Sequence, residues 1–280
     1  MLSYRHSFHA GNFADVLKHA VLALVLEGLR RKETPFCFID THAGVGRYDM
    51  KSAPAEKTGE WREGIGRIWS EPTPPTELAP YLDAVRALNR GSALRFYPGS
   101  PRVARHLLRP QDRMVLMELH PSDVPLLKQE FANDRQVGVH HQDCYQGLKA
   151  FVPPREKRGL VLFDPAYEVK DEYEQVIDAL LAAHTRWPTG IFALWYPILS
   201  RAAVDHMHRR VRDSGIRKVL FAELSVRPDD MPFGMNGSGM LLINPPWQLD
   251  EQLRVLLPWL HQRLDPQQQG RWAVDWVVPE

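Results

Sequence analysis

The chain has 280 residues, of which 44% are hydrophobic and 25% charged; this is typical of a globular protein of one or two domains and excludes a disordered, collagenous or coiled-coil chain. Lys and Arg number 35 against 34 Asp and Glu, so any nucleic-acid binding must use local patches and not bulk charge. The sequence has only two cysteines, no evident signal peptide, and no apolar run close to the ~18 residues that a membrane span needs. These features predict a cytoplasmic protein with reduced thiols.

The predicted elements begin with a helix, since apolar residues recur at helical spacing from Phe13 to Leu29, and the helix should end before Pro35. A buried strand follows at 36–39. Several prolines between 50 and 96 indicate a small helical insertion, with helices near 58–69 and 76–89. Beyond it we predict a helix over 101–109 with Ser100 as its N-cap, then strands alternating with helices, the strands lying at 114–119, 137–141, 160–163, 191–196, 218–226 and 240–243.

Alternating strands and helices predict an α/β fold with a mostly parallel sheet covered on both faces. The last two strands are joined by a loop, which predicts one antiparallel edge strand at 240–243. We therefore expect a single domain over 1–280 that contains the helical insertion at 50–96 and begins with a mobile tail at 1–12.

Polar residues follow the carboxyl ends of three successive strands, where parallel sheets bind their ligands. The first strand ends in Asp40 and a glycine turn at 44–46, which lets the backbone approach a ligand but lacks the third glycine of a dinucleotide motif. The second ends in Glu118, an acceptor suited to the two hydroxyls of a ribose. The third is followed by Asp143 and Cys144, which suit an adenine amine and ring nitrogen. This order favours a nucleoside-containing ligand, although each residue taken alone could be a turn, cap or loop residue.

The fourth strand ends in Asp164-Pro165-Ala166-Tyr167, which resembles the [D/N/S]-P-P-[Y/F/W] signature of methyltransferases that act on exocyclic amines. The carboxylate of Asp164 and the carbonyl of Pro165 can accept the protons of an adenine amine, which directs the nitrogen lone pair toward a sulfonium methyl. Tyr167 offers a ring on which an extruded base can stack. The methyl donor is already activated, so this chemistry needs no metal.

A second match, Asn244-Pro245-Pro246-Trp247, fits the signature letter for letter. It follows the strand expected to be antiparallel, whose carboxyl end points to the opposite edge of the sheet, so we favour Asp164.

A zinc site among 140–144 is disfavoured because adjacent strand residues point to opposite faces. The basic segment 201–218 and the aromatic, basic residues 4–9 suit contacts with RNA, although a solvated helix face is the commoner explanation of the former.

Several long motifs together resemble the bacterial RlmJ family: MLSYRHSFHAGNFADVLKH, DTHAGVGRY, YPGSP, ELHPSD, DPAYE, ALWYPI, SGIRK and NPPW. The resemblance runs along the whole chain. It implies a Rossmann-like class I methyltransferase fold and a monomer that transfers a methyl group from S-adenosylmethionine to an adenine N6 of 23S ribosomal RNA. It also implies that the cofactor is held by His19, His42, Ser100, Glu118, Asp143, Cys144 and Asp164.

By the same resemblance, Asp164 is the catalytic acceptor for the target amine, and the substrate contacts are Tyr4, His6, Lys18 and Tyr167. The chain departs from the family at Ala166, where proline is usual, and at Cys144, where glycine is usual. A DNA adenine-N6 methyltransferase stays open as an alternative, although no target-recognition domain is evident. A non-catalytic RNA-binding scaffold is the alternative from another class, and the intact Asp164 and Tyr167 argue against it.

Overall fold

An eight-stranded mixed sheet organises the chain in a computed structural model that describes residues 5–168, 171–229, 231–232 and 234–280. Its strands are β1 (Cys37–Asp40), β4 (Arg113–Glu118), β5 (Val137–His141), β6 (Gly159–Phe163), β7 (Ile191–Ile198), β8 (Val219–Ser225), β9 (Gly237–Ile243) and β10 (Trp272–Val278). Outside that sheet, β2 (Arg47–Asp49) and β3 (Phe96–Pro98) pair with each other in antiparallel fashion.

Helices cover both faces of the sheet, and two hydrophobic clusters lie against its two sides. In the described ranges the α-helices are α1 (Phe13–Arg30), α2 (Ala53–Thr58), α3 (Ile65–Ile68), α4 (Ala79–Ala87), α5 (Ser100–Leu107), α6 (Asp123–Glu130), α7 (Cys144–Phe151), α8 (Glu172–Arg186), α9 (Arg201–Asp213) and α10 (Leu249–Leu264). Short 3-10 helices occur at His6–Phe8, Glu60–Arg62 and Thr76–Leu78. None of the helices described is both long and apolar enough to cross a bilayer.

The strand order is β10-β8-β9-β7-β6-β1-β4-β5. Strands β5, β4, β1, β6 and β7 run parallel, whereas β9 is antiparallel to both of its neighbours, β7 and β8. This is the Rossmann-like α/β architecture expected from the sequence, with one correction. The antiparallel strand predicted at 240–243 does not lie at an edge, because every residue of β9 is buried and hydrogen-bonded strands flank it on both sides. The antiparallel edge strand is β10, a segment for which no strand was predicted.

Helix α1 combines core packing with polar function. Asn12 caps it by accepting from the backbone N–H of Asp15 at 3.0 Å, and the helix ends at Arg30, before Pro35 as predicted. It packs against α4, α5, α10 and β9. A Cβ on Gly28 would lie 2.5 Å from the Cβ of Pro246, so α1 fits closely against the segment that precedes α10. Almost the whole helix is buried, including three of its polar side chains.

Residues 50–96 contain α2, α3, α4 and two of the 3-10 helices of the described chain. The segment is flanked by β2 and β3, whose pairing runs from Arg47 opposite Pro98 to Asp49 opposite Phe96. Strand pairing at the base therefore brings the two ends of the segment together beside the glycine turn. This arrangement returns the chain to α5 and β4 without interrupting the parallel sheet.

Candidate active site

A cavity of about 900 Å³ lies beyond the carboxyl ends of β1, β4 and β6. Its lining contains every predicted site residue that the structure describes, namely His6, Lys18, His19, His42, Ser100, Glu118, Asp143, Cys144, Asp164 and Tyr167. Tyr4, the predicted RNA contact, lies outside the described residues. The residues selected along 160 positions of sequence are therefore brought to one place, because the carboxyl ends of parallel strands meet at one edge.

The glycine turn after β1 is held by the acid that ends β4. The carboxylate of Glu118 accepts from the backbone N–H of Gly44 at 2.7 Å and from that of His120 at 2.7 Å. Gly44 has φ +59°, and a Cβ there would clash with the hydroxyl of Tyr48, so glycine is required. Burial raises the pKa of Glu118, and the backbone N–H groups partly oppose that shift. Glu118 thus lines the cavity with fixed acceptor atoms.

Ser100 differs from its prediction as a helix N-cap. The N-cap of α5 is Gly99, and Ser100 is the first helical residue. Its hydroxyl donates to the carboxylate of Asp40 at 2.7 Å, and the backbone N–H of His42 donates to the other oxygen of Asp40 at 3.2 Å. A hydrogen bond from the Ser100 hydroxyl to the buried side chain of Asp40 is stronger than the bond that the hydroxyl would accept from a backbone N–H as an N-cap. The hydroxyl therefore points inward, toward Asp40. Asp40 itself is fully buried and does not line the cavity.

Burial raises the pKa of Asp40 to about 7, against the opposing effect of the Ser100 hydrogen bond. The folded protein therefore binds a proton that the unfolded chain has released, from about pH 4 up to about pH 7. Stability conferred by this proton is lost as the pH rises through that window. We expect wild type to lose roughly 2 kcal/mol of unfolding free energy relative to Asp40→Asn between about pH 5 and about pH 8. Chemical denaturation at both pH values tests this, and parallel pH profiles would contradict it.

His42 and Cys144 meet across the cavity wall. The hydroxyl of Thr41 donates to the carbonyl of Leu162 at 2.9 Å, so it accepts from Nδ1 of His42 at 2.8 Å. The Nε2 atom of His42 is then the acceptor that faces Sγ of Cys144 at 3.4 Å. Burial lowers the pKa of His42 to about 4 and raises that of Cys144, so the pair is a neutral imidazole and a thiol.

Cys144 also begins α7, which Asp143 caps by accepting from the backbone N–H of Gln146 at 3.0 Å. Cys144 is not among the residues with positive φ. A side chain is therefore tolerated at this position, where glycine is usual in the family that the sequence resembles. Its backbone N–H lies in the first turn of a helix, where such groups are free of intrahelical partners.

Lys18 lies between two acids at the centre of the cavity wall. Its Nζ is 2.6 Å from Oδ2 of Asp164 and 2.9 Å from Oδ1 of Asp15, and it faces the ring of Trp195 at 5.4 Å from the ring centre. The Lys18 side chain is only 3% exposed. Burial lowers its pKa, but the two carboxylates outweigh this and hold the pKa above its ordinary value, so the amine is charged.

Two histidines of the N-terminal motif are fixed by neighbours. Nδ1 of His19 lies 2.8 Å from the hydroxyl of Tyr97, and burial lowers the pKa of His19 to about 3, which keeps the ring neutral. Nε2 of His6 lies 2.9 Å from Oδ2 of Asp15, and its ring packs edge-on against Tyr48. His6, which lies in the predicted tail, thus has defined contacts, while the mobility predicted for 1–12 stays a prediction.

Tyr167 follows the Asp164-Pro165-Ala166 turn in the left-handed region, at φ +53°. Its hydroxyl donates to the carbonyl of Trp195 at 2.8 Å, and its ring lies 4.5 Å from that of Tyr173 between ring centres. The strained backbone and the anchored hydroxyl fix the direction of the ring. With Ala166 in place of proline, these two restraints supply rigidity to the turn.

The second signature match lies elsewhere in the sheet. Asn244 follows β9, whose last residue, Ile243, pairs with Phe192 at the amino end of β7. The amide of Asn244 donates to the carbonyls of Pro188 at 2.8 Å and Gly190 at 2.9 Å. The predicted antiparallel direction is confirmed, and Asn244 therefore lies at the opposite edge from Asp164 and closes a structural turn.

The basic segment 201–218 is partly neutralised within the protein. Arg201 pairs with Glu223 at 2.9 Å and with Asp229 at 3.2 Å, and Arg210 pairs with Glu174 and Asp178. These ion pairs weaken the case for a phosphate-binding patch on α9. In the described part of the chain, no group of three or more His, Cys, Asp or Glu side chains is arranged to hold a metal ion.

Comparison with known proteins decides the family. The family described as "Ribosomal RNA large subunit methyltransferase D, RlmJ" matches residues 33–278. A protein named Ribosomal RNA large subunit methyltransferase J from Escherichia coli (strain K12) is 51% identical over 280 residues, which cover 100% of both chains. The chain belongs to the RlmJ family. A protein of the same name from Haemophilus influenzae is 50% identical over 281 residues, again with 100% of both chains covered.

A similar fold is seen in a solved structure. A crystal structure of a protein from Legionella pneumophila is 35% identical, with a TM-score of 0.89 over 96% of this chain and 98% of that one. The Rossmann-like methyltransferase architecture predicted from the sequence is thereby confirmed.

Among the lining residues of this RlmJ-family cavity that were not predicted from the sequence are Asp15, Tyr145 and Trp195. Asp15 looks like an ordinary acid in the first turn of a helix, and Trp195 like a core residue of a strand. Tyr145 has a buried hydroxyl for which the described residues provide no partner. The spacing of Asp15 and Lys18, three positions apart on a helix, was the one available signal that they meet.

Proposed function

We propose that the chain transfers a methyl group from S-adenosylmethionine to the N6 amine of an adenine in 23S ribosomal RNA, acting as a cytoplasmic monomer. One observation carries the proposal: the Asp164-Pro165-Ala166-Tyr167 turn opens on the same cavity as the Gly44 turn and Glu118. The RlmJ-family relatives are named for large-subunit rRNA, which supports RNA over DNA as the substrate.

The donor set of the cavity fits S-adenosylmethionine. Glu118 presents fixed acceptor oxygens for the ribose hydroxyls, and Asp143 with the backbone N–H of Cys144 suits the adenine. At the other end, His19 and the first turn of α5 at Ser100 suit the charged amino-acid portion. When bound, the group supplies a methyl on a sulfonium, which is already activated for transfer.

The acceptor groups of the turn bind the other reactant. The carboxylate of Asp164 and the carbonyl of Pro165 accept the two protons of the adenine amine, so its lone pair is freed from the ring and directed at the methyl group. Tyr167, held by its bond to the Trp195 carbonyl, stacks on the extruded base. Both acceptors are present without Pro at position 166, so the departure at Ala166 leaves this role intact. The residues need no metal for these tasks.

Cofactor binding gives a direct prediction for Glu118. Glu118→Gln replaces a charged acceptor by a neutral one in the contacts with Gly44, His120 and the ribose, so we expect S-adenosylmethionine to bind about 1–2 kcal/mol more weakly, roughly 5- to 30-fold. Calorimetric titration measures it. Glu156→Gln, at an ion pair with Arg113 away from the cavity, is the matched control and should bind like wild type. An unchanged dissociation constant for Glu118→Gln would remove the ribose assignment.

Transfer of labelled methyl groups tests the proposed function itself. Purified protein and labelled S-adenosylmethionine are incubated with ribosomal RNA, or with genomic DNA, from cells that lack the enzyme. We expect label in N6-methyladenine of 23S rRNA and none in DNA. Label in DNA alone would favour the DNA methyltransferase, and RNA binding without label would favour the non-catalytic scaffold.

A further inference from the structure

The catalytic acceptor is already engaged in the structure. Oδ2 of Asp164, which is 12% exposed, accepts from the ammonium of Lys18 at 2.6 Å. In the proposed function the same carboxylate must accept a proton of the substrate amine. The second oxygen of Asp164 can accept from the amine, but the ammonium at Oδ2 weakens the carboxylate as an acceptor, so catalysis is favoured when the ammonium has another anionic partner.

Asp15 has the geometry of that partner. Its Oδ1 is 2.9 Å from Nζ of Lys18, one helical turn away on α1. Its Oδ2 is held in place by the backbone N–H of Gly11 at 2.8 Å and by Nε2 of His6 at 2.9 Å. Asp15 is 2% exposed, so it cannot swing away into solvent.

We propose that Asp15 is a positioning residue that retains the ammonium of Lys18 while Asp164 accepts the substrate amine. The inference rests on the proposed function and adds a role for an acid that does not touch the reacting atoms. In this arrangement the ammonium of Lys18 contacts two carboxylates. That of Asp15 is fixed, and that of Asp164 takes part in the reaction.

Electrostatics favours this division of roles. An ammonium left without an anion at this depth would lose its solvation without compensation, so Lys18 without Asp15 would stay bound to Asp164. With Asp15 present, the ammonium keeps a charge-assisted hydrogen bond whether or not it contacts Asp164. The face of Trp195 beneath Nζ adds a second favourable contact that does not depend on Asp164.

A double-mutant cycle on the full-length protein tests the proposal through the single-turnover rate of methyl transfer to rRNA. We expect Asp15→Asn to lower that rate at least about tenfold while the dissociation constant of S-adenosylmethionine changes less than about threefold. In a Lys18→Met background, Asp15→Asn should change the rate less than about twofold, because Asp15 acts through Lys18. If Asp15→Asn does not fold, Asp15→Glu, which displaces the charge by one methylene, gives the same cycle.

Asp112→Asn is the matched control. Asp112 is equally buried, accepts from the backbone N–H of Phe36 at 3.1 Å and pairs with Arg109, but it does not line the cavity. Neutralising it should lower the melting temperature and leave the rate per folded molecule unchanged.

Two results would overturn the proposal. One is that Asp15→Asn lowers the rate by the same factor in the wild-type and Lys18→Met backgrounds. The other is that the rate falls only in proportion to the fraction of protein that remains folded. Wild type is measured in the same assay. If wild type transfers no methyl group, the proposed function fails; if it transfers and the cycle is additive, only the role of Asp15 fails.

Discussion

Asp164→Ala is expected to abolish methyl transfer, with a loss on the order of 10²- to 10³-fold or more in single-turnover rate. The change removes the side-chain acceptor that directs the amine lone pair, and the carbonyl of Pro165 alone cannot replace it. The fold should survive, because Lys18 keeps its ion pair with Asp15. Single-turnover assays at saturating S-adenosylmethionine, with melting temperatures on the same samples, give the measurement.

Asn244→Ala is the matched control, because it changes the other occurrence of the signature. It removes the amide bonds to the carbonyls of Pro188 and Gly190 and places alanine at φ +54°. We expect lower stability from both effects, and a rate per folded molecule equal to that of wild type. A well-folded Asn244→Ala enzyme without activity, beside an active Asp164→Ala enzyme, would reverse the assignment of the two motifs.

Tyr4→Ala is expected to lower the rate about 10- to 100-fold at sub-saturating RNA, because a stacking contact with the flipped base is worth ~1–3 kcal/mol. The affinity for S-adenosylmethionine should change little, since Tyr4 is assigned to RNA. Measurement of the single-turnover rate and of cofactor binding on one preparation tests both statements.

The alternative for Tyr4 is that it anchors the N-terminal segment to the protein surface. That role predicts a lower melting temperature with the rate retained, whereas RNA stacking predicts the reverse. Tyr4→Phe separates the ring from the hydroxyl, and under the stacking hypothesis it should behave like wild type. A Tyr4→Phe variant as slow as Tyr4→Ala would argue against stacking.

The parallel half of the sheet could be predicted because its strands are short apolar runs that alternate with helices. The position of β9 between β7 and β8 could not be predicted, because strand neighbours in the sheet depend on tertiary pairing and not on sequence order. Residues 240–243 of this strand are apolar on both faces, which indicates an interior strand and could have excluded an edge. Strand β10 carried a visible signal in the alternation of Trp272, Val274 and Trp276, of which Val274 is buried in the hydrophobic core.

The site residues at strand ends could be predicted because one rule of α/β sheets brings them together. The hydrogen-bond and ion-pair partners of those residues could not be predicted. Ser100 was expected at a helix cap and instead donates to Asp40, because the depth of that carboxylate is a property of the folded core. The link from Asp15 through Lys18 to Asp164 joins positions far apart in sequence, and it depends on how α1 docks on the sheet.

Helix α1 is synthesised before any of its partners, yet it is buried against β9 and α10, the last large elements of the chain to emerge from the ribosome. Until residues near 264 are available, α1 can pack on α4 and α5, but the apolar side that contacts β9 and α10 stays uncovered in the nascent polypeptide. Folding of the catalytic centre is thus coupled to completion of synthesis. C-terminally truncated products should accordingly be inactive, aggregation-prone and bound by chaperones, and ribosome-stalled chains of increasing length should gain protease resistance only once α10 has left the exit tunnel.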